Sequence, residues 1–235
     1  MRCHVRKSRQ NRRRSLQRRQ YARYPPWTLD EAINACLGWI LACLAVAPPR
    51  ELPLWPSDER PTLLYTDASE EHKRLHPYII GAVIDSPRAA SLLYTMCPVP
   101  PAFIATWLPK KTHIGQLEIF AGVVALDTWP ELVGDSYLLH FRDNDSATAC
   151  LIAGYSAKVD STKIVGEYWL RRAKHKCFVY VNRVETHSNI SDGPSRLDPS
   201  EVVALGAQFT EPCTDLFSSS PPSDDPFHWF ALPSL

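Results

Sequence analysis

The chain has 235 residues, of which 45% are hydrophobic, and a formal net charge of +1. This length allows one domain of roughly 130 to 200 residues with tails, or two small domains, and the apolar fraction excludes a wholly disordered chain. The near-neutral charge excludes a protein that is basic over its whole surface, and seven scattered cysteines without a Cys-x-x-Cys pair exclude a zinc module or a disulfide framework.

The chain begins with a strongly basic segment. Residues 1–28 contain ten of the 26 Lys and Arg residues and no acidic residue. We interpret residues 1–27 as a basic disordered tail. The tail binds nucleic acid, serves as a nuclear or organelle address, or is only a solvated end.

Residues 28–61 predict a helix followed by a Pro-rich connection. Thr28 can cap a helix that runs to residue 47, where Pro48-Pro49 stops it. The apolar run within this helix, residues 32–47, is shorter than the roughly 20 residues of a membrane span. Because no secretory signal precedes it either, we expect an intracellular protein, nuclear or cytoplasmic, that is not secreted and has no membrane contact.

Residues 62–208 alternate between β-type and helical patterns, whereas residues 209–235 are rich in Pro and Ser and predict a disordered tail. Three strands come first, and Pro87 between the second and third favours an antiparallel meander. The order predicts an α/β fold, a mixed sheet with flanking helices. The predicted strands are 63–66, 78–84, 91–99, 137–141 and 177–184, and the predicted helices are 114–129, 145–153, 160–175 and 198–207.

Four acidic residues stand where these elements would present them to one place. Asp67 ends the first strand, Glu118 lies near the start of a helix, Asp143 ends the fourth strand and Asp192 opens the last helical segment. Apolar neighbours around the first two give no structural reason for an acid. Clustered carboxylates repel one another until cations bind, and oxygen ligands suit Mg²⁺ or Mn²⁺.

The four acids lie in sequence blocks that resemble, in order, those of the ribonuclease H-like domain of retrotransposon reverse transcriptases. The blocks are YTDAS, IGQLE, FRDNDSA and SNISDGPSRL. The resemblance covers about residues 60–200 and implies a five-stranded mixed sheet whose first three strands are antiparallel. It also implies that Asp67, Glu118, Asp143 and Asp192 are metal ligands and catalytic residues of a two-metal phosphodiesterase, with His187 assisting proton transfer or product release.

The sequence also departs from this family. The segment between Asp67 and Gly81 is long and charged, without the glycines that usually close the first hairpin. Asp145 competes with Asp143 as the ligand, and each of the four acids has an alternative role in capping a turn or a helix. No Tyr-x-Asp-Asp polymerase motif occurs, so we expect a fragment, a truncated element or a domesticated derivative.

Several basic residues are candidates for phosphate contacts. They are Lys110, Lys111 and His113 before the Glu118 helix, the cluster 171–176 at the end of another helix, and Arg196, which can also pair with the site carboxylates. Cations at a helix end equally stabilise its dipole.

The leading functional hypothesis is a metal-dependent endoribonuclease that cleaves the RNA strand of RNA–DNA hybrids, with a polymerase domain or chain as a further partner. The alternative is a catalytically degenerate module of the same fold that only binds nucleic acid or connects to a polymerase. A proofreading-type exonuclease is disfavoured, because Asp67-Ala68-Ser69 lacks the Asp-x-Glu of that class. A strand-transfer integrase would place its Glu last, whereas Glu118 comes second.

Overall fold

The computed structural model describes residues 59–218 and six residues of the N-terminal part, namely 33, 34, 37, 38, 40 and 41. The chain divides into two compact units, residues 1–56 and 57–235. The six described residues of the first unit are helical, as the pattern over 28–47 predicts. The rest of that predicted helix, and the basic tail before it, lie outside the described residues.

A mixed six-stranded sheet forms the second unit. Strands β1 to β3 form an antiparallel meander, β4 runs parallel to β1, β5 runs parallel to β4, and β6 runs parallel to β3. The order across the sheet is β5-β4-β1-β2-β3-β6. The strands are β1 (Thr62–Glu70), β2 (Tyr78–Asp85), β3 (Leu93–Pro98), β4 (Tyr137–Arg142), β5 (Phe178–Arg183) and β6 (Gln208–Phe209).

The described part of this unit also contains eight short or medium helices and one 3₁₀ turn. The two longest, α2 and α5, pack against each other, and α2 also lies on β1 and β2. The helices are α1 (Pro101–Ile104), α2 (Ile114–Thr128), α3 (Pro130–Val133), α4 (Asp145–Ala153), α5 (Val159–Lys174), α6 (Asp192–Ser195), α7 (Ser200–Ala204) and α8 (Asp215–Ser218), and the 3₁₀ turn is Thr186–Ser188.

The main core lies between the sheet and α2. Residues 116–126 of α2 are buried without interruption, which explains why this helix carries so few polar residues. Leu64 of β1, Leu138 of β4 and Val165 of α5 are fully buried against it. The helix ends before Pro130, whose ring cannot continue an α-helix. The core therefore holds Glu118, in the second turn of α2, firmly against β1.

This architecture confirms the predicted fold class, an α/β fold in which a mixed sheet with an antiparallel first meander carries flanking helices. The predicted strand number of five is wrong, because β6 pairs with residues 93–94 of β3 as a sixth strand. A strand of two residues has no alternating pattern from which it could be recognised.

Residues 209–218 also differ from the predicted disordered tail. Phe209 belongs to β6, and Leu216 and Phe217 of α8 pack on the main core. The ring centroid of Phe217 lies 5.2 Å from the ring centroid of Phe103 and 5.9 Å from that of Phe120. Partial burial of Leu216 and Phe217 against the core outweighs the Pro- and Ser-rich composition of this segment, while residues 219–235 lie outside the described residues. The single helix predicted at 198–207 is the shorter α7, preceded by a separate helix, α6.

The β1–β2 connection closes without glycine. The N–H of Glu71 donates to the carbonyl of Pro77 across 2.8 Å, and the N–H of Arg74 donates to the carbonyl of Glu71 across 3.0 Å. No residue of this loop has a positive φ. A loop of this length does not need the left-handed conformation that tight two-residue turns require, so the missing glycines leave the fold intact. Among the described residues, no helix is both long and apolar enough to cross a membrane.

Candidate metal centre

Three of the four predicted acids come together at one edge of the sheet. Parallel pairing of β1 with β4, with Tyr65 opposite Phe141, brings Asp67 and Asp143 to the same edge. Glu118 reaches this edge from α2. One carboxylate oxygen from each of Asp67, Glu118 and Asp143 lies within 4.8 Å of the other two. Oxygens that lie about 2 to 2.6 Å from one shared cation are at most about 4 to 5.2 Å apart, so the bound is compatible with a shared ion.

The three carboxylates are shielded from solvent to different extents. Asp67 and Glu118 are each only 4% exposed, and Asp143 is half-buried. Oε2 of Glu118 has no hydrogen-bond partner among the described residues. A buried carboxylate oxygen without a donor is costly unless a cation binds it, so this donor set fits a divalent metal ion.

The same environment shifts the pKa values of Asp67 and Glu118. Burial raises the pKa of Asp67 to about 6; a hydrogen bond from Ser195 opposes the shift, and the charge of Asp143 adds to it. Burial, followed by the charge of Asp67, raises the pKa of Glu118 well above its usual range, while the positive charge of Arg142 lowers it. A bound cation would favour the ionised carboxylates and reverse these shifts.

Asp192 lies outside this group of three. It is the first residue of α6, and both of its carboxylate oxygens accept hydrogen bonds from the Arg196 guanidinium, at 2.9 to 3.1 Å. Its charge still raises the pKa of Asp67, so it stands beside the group. Asp192 therefore stays a predicted ligand that lies beside the group, with its carboxylate paired to Arg196 on the next helical turn.

The segment that carries Asp192 is held against β1 and β2 by polar contacts. Ser195 donates a hydrogen bond to Oδ2 of Asp67 across 2.7 Å, and the hydroxyl of Ser69 donates to the Ser195 carbonyl across 2.6 Å. A Cβ on Gly81 would lie 2.3 Å from the backbone nitrogen of Ser195. Glycine at this position of β2 is therefore what allows α6 to approach the sheet.

His187 and Asp145, two other candidates, make no contact with the group of three in the described structure. His187 lies exposed in the 3₁₀ turn, without a hydrogen bond or ion pair from its ring to another described residue. The carboxylate of Asp145 is 82% exposed and pairs with Nε of Arg183 at 2.6 Å. The geometry thus favours Asp143 over Asp145 as the ligand, and His187 stays a sequence-based candidate.

Besides Arg196, which pairs with Asp192, two more of the basic candidates are engaged in ion pairs. Lys110 pairs with Asp160 across 2.5 Å, and Arg171 pairs with Asp127 across 2.6 Å and with Glu167. Lys110 thereby connects the segment before α2 to α5, and Arg171 connects α5 to α2. Exposed cations that remain near these segments are Lys111, Lys174 and Lys176.

Sequence analysis did not identify two residues that shape the site, Ser195 and Arg142. Ser195 lies in the SNISDGPSRL block, so its position within the motif was a usable signal. Arg142 is fully buried at the end of β4. A basic residue beside a strand end is normally solvated, and its sequence context gave no sign of burial.

Comparisons with known proteins describe only general similarity. No family model and no curated protein matches the chain. Solved structures that resemble it do so at low identity, and three of them are representative. The N-terminal RNase H domain of Rv2228c from Mycobacterium tuberculosis is 13% identical with a TM-score of 0.43, over 62% of this chain and 96% of that one. LC11-RNase H1, isolated from compost by a metagenomic approach and solved in complex with an RNA/DNA hybrid, is 14% identical with a TM-score of 0.41, over 60% and 99%.

The third is the protease-reverse transcriptase of prototype foamy virus, which is 11% identical with a TM-score of 0.36, over 65% of this chain and 21% of that one. Scores of this size carry no argument about a site or an activity. What is shown of this chain is therefore its own strand order and pairings, a mixed sheet with flanking helices.

Proposed function

We propose that this protein is a metal-dependent endoribonuclease that cleaves the RNA strand of RNA–DNA hybrids. The observation that carries the proposal is the convergence of Asp67, Glu118 and Asp143 within 4.8 Å, with a buried and unpartnered oxygen on Glu118. The order of the four sequence blocks supports the same activity. Recognition of the hybrid would rest on minor-groove shape and 2′-hydroxyl groups.

Asp67, Glu118 and Asp143 would hold the metal, Mg²⁺ or Mn²⁺. A divalent ion bound there would activate water and stabilise charge on the phosphate. The protein's own contribution is to hold the carboxylates in place: the meander fixes Asp67, the core fixes Glu118, and Ser195 orients the Asp67 carboxylate. His187, on the exposed turn before α6, is proposed to move a proton.

A retrotransposon origin, a polymerase domain or chain as partner, and a nuclear or cytoplasmic location are part of this proposal. They are supported by the block order, which resembles that of reverse transcriptases, and by the basic composition of residues 1–28.

One observation favours the second candidate, a module that binds hybrid without cutting it. Arg196 occupies both oxygens of Asp192, so one of the four acids expected at a working site is engaged elsewhere. Under this alternative the group of three still binds a cation, but no cleavage follows.

A matched pair of variants tests the proposal. The full chain is incubated with a hybrid labelled on the RNA strand, and with duplex DNA and duplex RNA as controls, in Mg²⁺, Mn²⁺ or EDTA. We expect metal-dependent cutting of the hybrid RNA strand alone. Asp143→Asn should reduce the rate at least about 10²-fold, the cost of losing one preorganised charged group. Asp145→Asn, two residues away and exposed, should stay within about threefold, as a surface change does.

Two results would decide against the nuclease. Wild-type protein that binds the hybrid but cuts it in neither Mg²⁺ nor Mn²⁺ leaves the binding module. Equal losses in Asp143→Asn and Asp145→Asn would show that the group of three is not the reacting site.

A further inference from the structure

A buried arginine stands directly behind the carboxylate group. Arg142 is the last residue of β4 and the residue before Asp143, and none of its surface is exposed to solvent. Burying a guanidinium is costly unless its charge and its donors are compensated. The contacts of Arg142 therefore need an explanation.

One guanidinium nitrogen of Arg142 connects all three elements that carry the carboxylates. Nη2 donates to the hydroxyl of Thr66 across 3.0 Å and to the backbone carbonyl of Glu118 across 2.8 Å. Thr66 precedes Asp67 in β1, Glu118 belongs to α2, and Arg142 itself precedes Asp143. Arg142 thus contacts Glu118 through its backbone carbonyl, contacts the residue before Asp67, and directly precedes Asp143 in the chain.

A second layer of polar groups holds this arrangement from behind. His140 Nε2 lies 2.8 Å from the Thr66 hydroxyl, and its Nδ1 lies 2.8 Å from the hydroxyl of Tyr168 in α5. Burial, together with the charge of Arg142, lowers the pKa of His140 well below its usual range, so the ring is neutral. Arg142 is therefore the cation of this buried chain.

The hydrogen bonds alone do not account for an arginine at this position. Both acceptors of Nη2 are uncharged, and Nε and Nη1 have no hydrogen-bond partner among the described residues. A neutral amide side chain could donate to the same two oxygens. What only a cation provides is an attraction for the nearby carboxylates of Glu118, Asp67 and Asp143, each of which interacts electrostatically with Arg142.

The charges then balance for a single metal ion. The group of three carboxylates carries three negative charges when ionised, and Arg142 leaves two of them uncompensated. Asp192 and its partner Arg196 together add no net charge, because they form an ion pair. Two net negative charges match one divalent cation.

We propose that Arg142 is a built-in cation of the carboxylate group, which holds the three acids together without metal and lets one divalent ion complete the site. This inference rests on the metal site of the proposed function and adds a positioning residue to it. It follows that metal and Arg142 compensate the same charge. Loss of the arginine should therefore make the fold depend on metal.

The test compares Arg142→Gln with Arg171→Gln in the full chain. Gln keeps an amide donor and removes the charge. Arg171 is the control, since it is also largely buried and ion-paired, with Asp127 and Glu167 in its own α2–α5 contact. Thermal unfolding is measured in EDTA and in saturating Mn²⁺, and Mn²⁺ binding is measured by calorimetry and by electron paramagnetic resonance.

We expect wild type to bind one Mn²⁺ per chain. Arg142→Gln should melt well below wild type in EDTA, and Mn²⁺ should raise its Tm by at least about 4 °C more than it raises that of wild type. Its Mn²⁺ affinity should rise about tenfold, because a repelling charge has gone. The Tm of Arg171→Gln should fall by the same amount with and without Mn²⁺, and its affinity for Mn²⁺ should equal that of wild type.

Three results would overturn the inference. They are equal Tm losses of Arg142→Gln in EDTA and Mn²⁺, an unchanged or weaker Mn²⁺ affinity, and a wild type that gains no stability from Mn²⁺. If Arg142→Gln does not fold in either condition, Glu118→Gln is added to it. Removing the facing acid should restore folding in EDTA, and failure to do so also overturns the inference.

None of these readouts uses cleavage. A wild-type protein that binds one Mn²⁺ and cuts no hybrid would lose the proposed function while the role of Arg142 stands.

Discussion

The hydroxyl of Ser195 donates a hydrogen bond to Oδ2 of Asp67 across 2.7 Å, although the two residues are separated by 128 positions in the chain. This contact joins the last sequence block to the first strand. It also explains how a buried carboxylate at the sheet edge keeps part of its tendency to ionise, since a donor to the charged form lowers the pKa. The pH dependence of metal binding should therefore depend on this hydrogen bond.

Ser195→Ala should shift metal binding to higher pH. The hydrogen bond from Ser195 opposes the effect of burial on the pKa of Asp67, which is about 6, so its removal raises that pKa further. Because a cation needs the ionised carboxylate, the pH midpoint of Mn²⁺ binding should rise. Mn²⁺ titrations between pH 5 and 8 measure the midpoint, with the exposed Ser188→Ala as control. An unchanged midpoint in Ser195→Ala would show that the hydroxyl does not act on Asp67.

The metal-free protein should lose stability as the pH rises from about 4 to above 6. Asp67 has a folded-state pKa of about 6, raised from 3.8, so the folded state binds more protons than the unfolded state in this interval. Stability is then greatest below the unfolded pKa and falls as the carboxyl ionises, by about 3 kcal/mol for a shift of this size. The pKa of Glu118 is raised in the same direction.

Urea unfolding in EDTA at several pH values, for wild type and Asp67→Asn, isolates this contribution. Asp160, whose pKa is lowered through its contacts with Lys110 and Gln116, acts with the opposite sign in both proteins and cancels in the difference. Asp67→Asn should be more stable than wild type above pH 6 and lose that advantage toward pH 4. A difference that does not change with pH would contradict the assigned environment of Asp67.

Gly81→Ala should displace α6 from the sheet. A Cβ at this position would lie 2.3 Å from the nitrogen of Ser195 and 2.7 Å from the carbonyl carbon of Pro194, both backbone atoms. Overpacking against backbone costs about 1–3 kcal/mol or more. Gly115→Ala in α2 is the control, since its nearest neighbour would be 3.9 Å away. Denaturant unfolding measures both; a Gly81→Ala protein as stable as Gly115→Ala would contradict the close approach.

Much of the fold and of the site could be predicted from the sequence, wherever a pattern within one short segment specifies the local structure. Asp67 and Asp143 follow β-type runs of two strands that pair in parallel, so their proximity was predictable, although β1 continues to Glu70 and does not end at Asp67 as predicted. Glu118 was predictable because the apolar spacing around it is helical. These are properties of short segments and do not depend on distant residues.

What could not be read depends on contacts between distant segments. The acceptors of the buried Arg142 lie on β1 and α2, 76 and 24 positions away in the chain, and the residues next to Arg142 in the sequence do not predict them. Arg196 was a candidate partner of the site carboxylates, but the sequence did not specify that it pairs with Asp192 and not with another of the four acids. The contribution of Phe217 to the core comes from a segment whose composition is that of a tail.

The measurement that tests the account most directly is the rate of hybrid cleavage by wild type and Glu118→Gln in saturating Mg²⁺, with unfolding in EDTA measured alongside. Gln keeps the shape and helix propensity of Glu and removes one charge from the group of three. The account predicts a rate at least about 10²-fold lower and a metal-free stability that is unchanged or higher, because one of three mutually repelling acids is gone. Unchanged cleavage together with a loss of stability would contradict it and make Glu118 a structural residue.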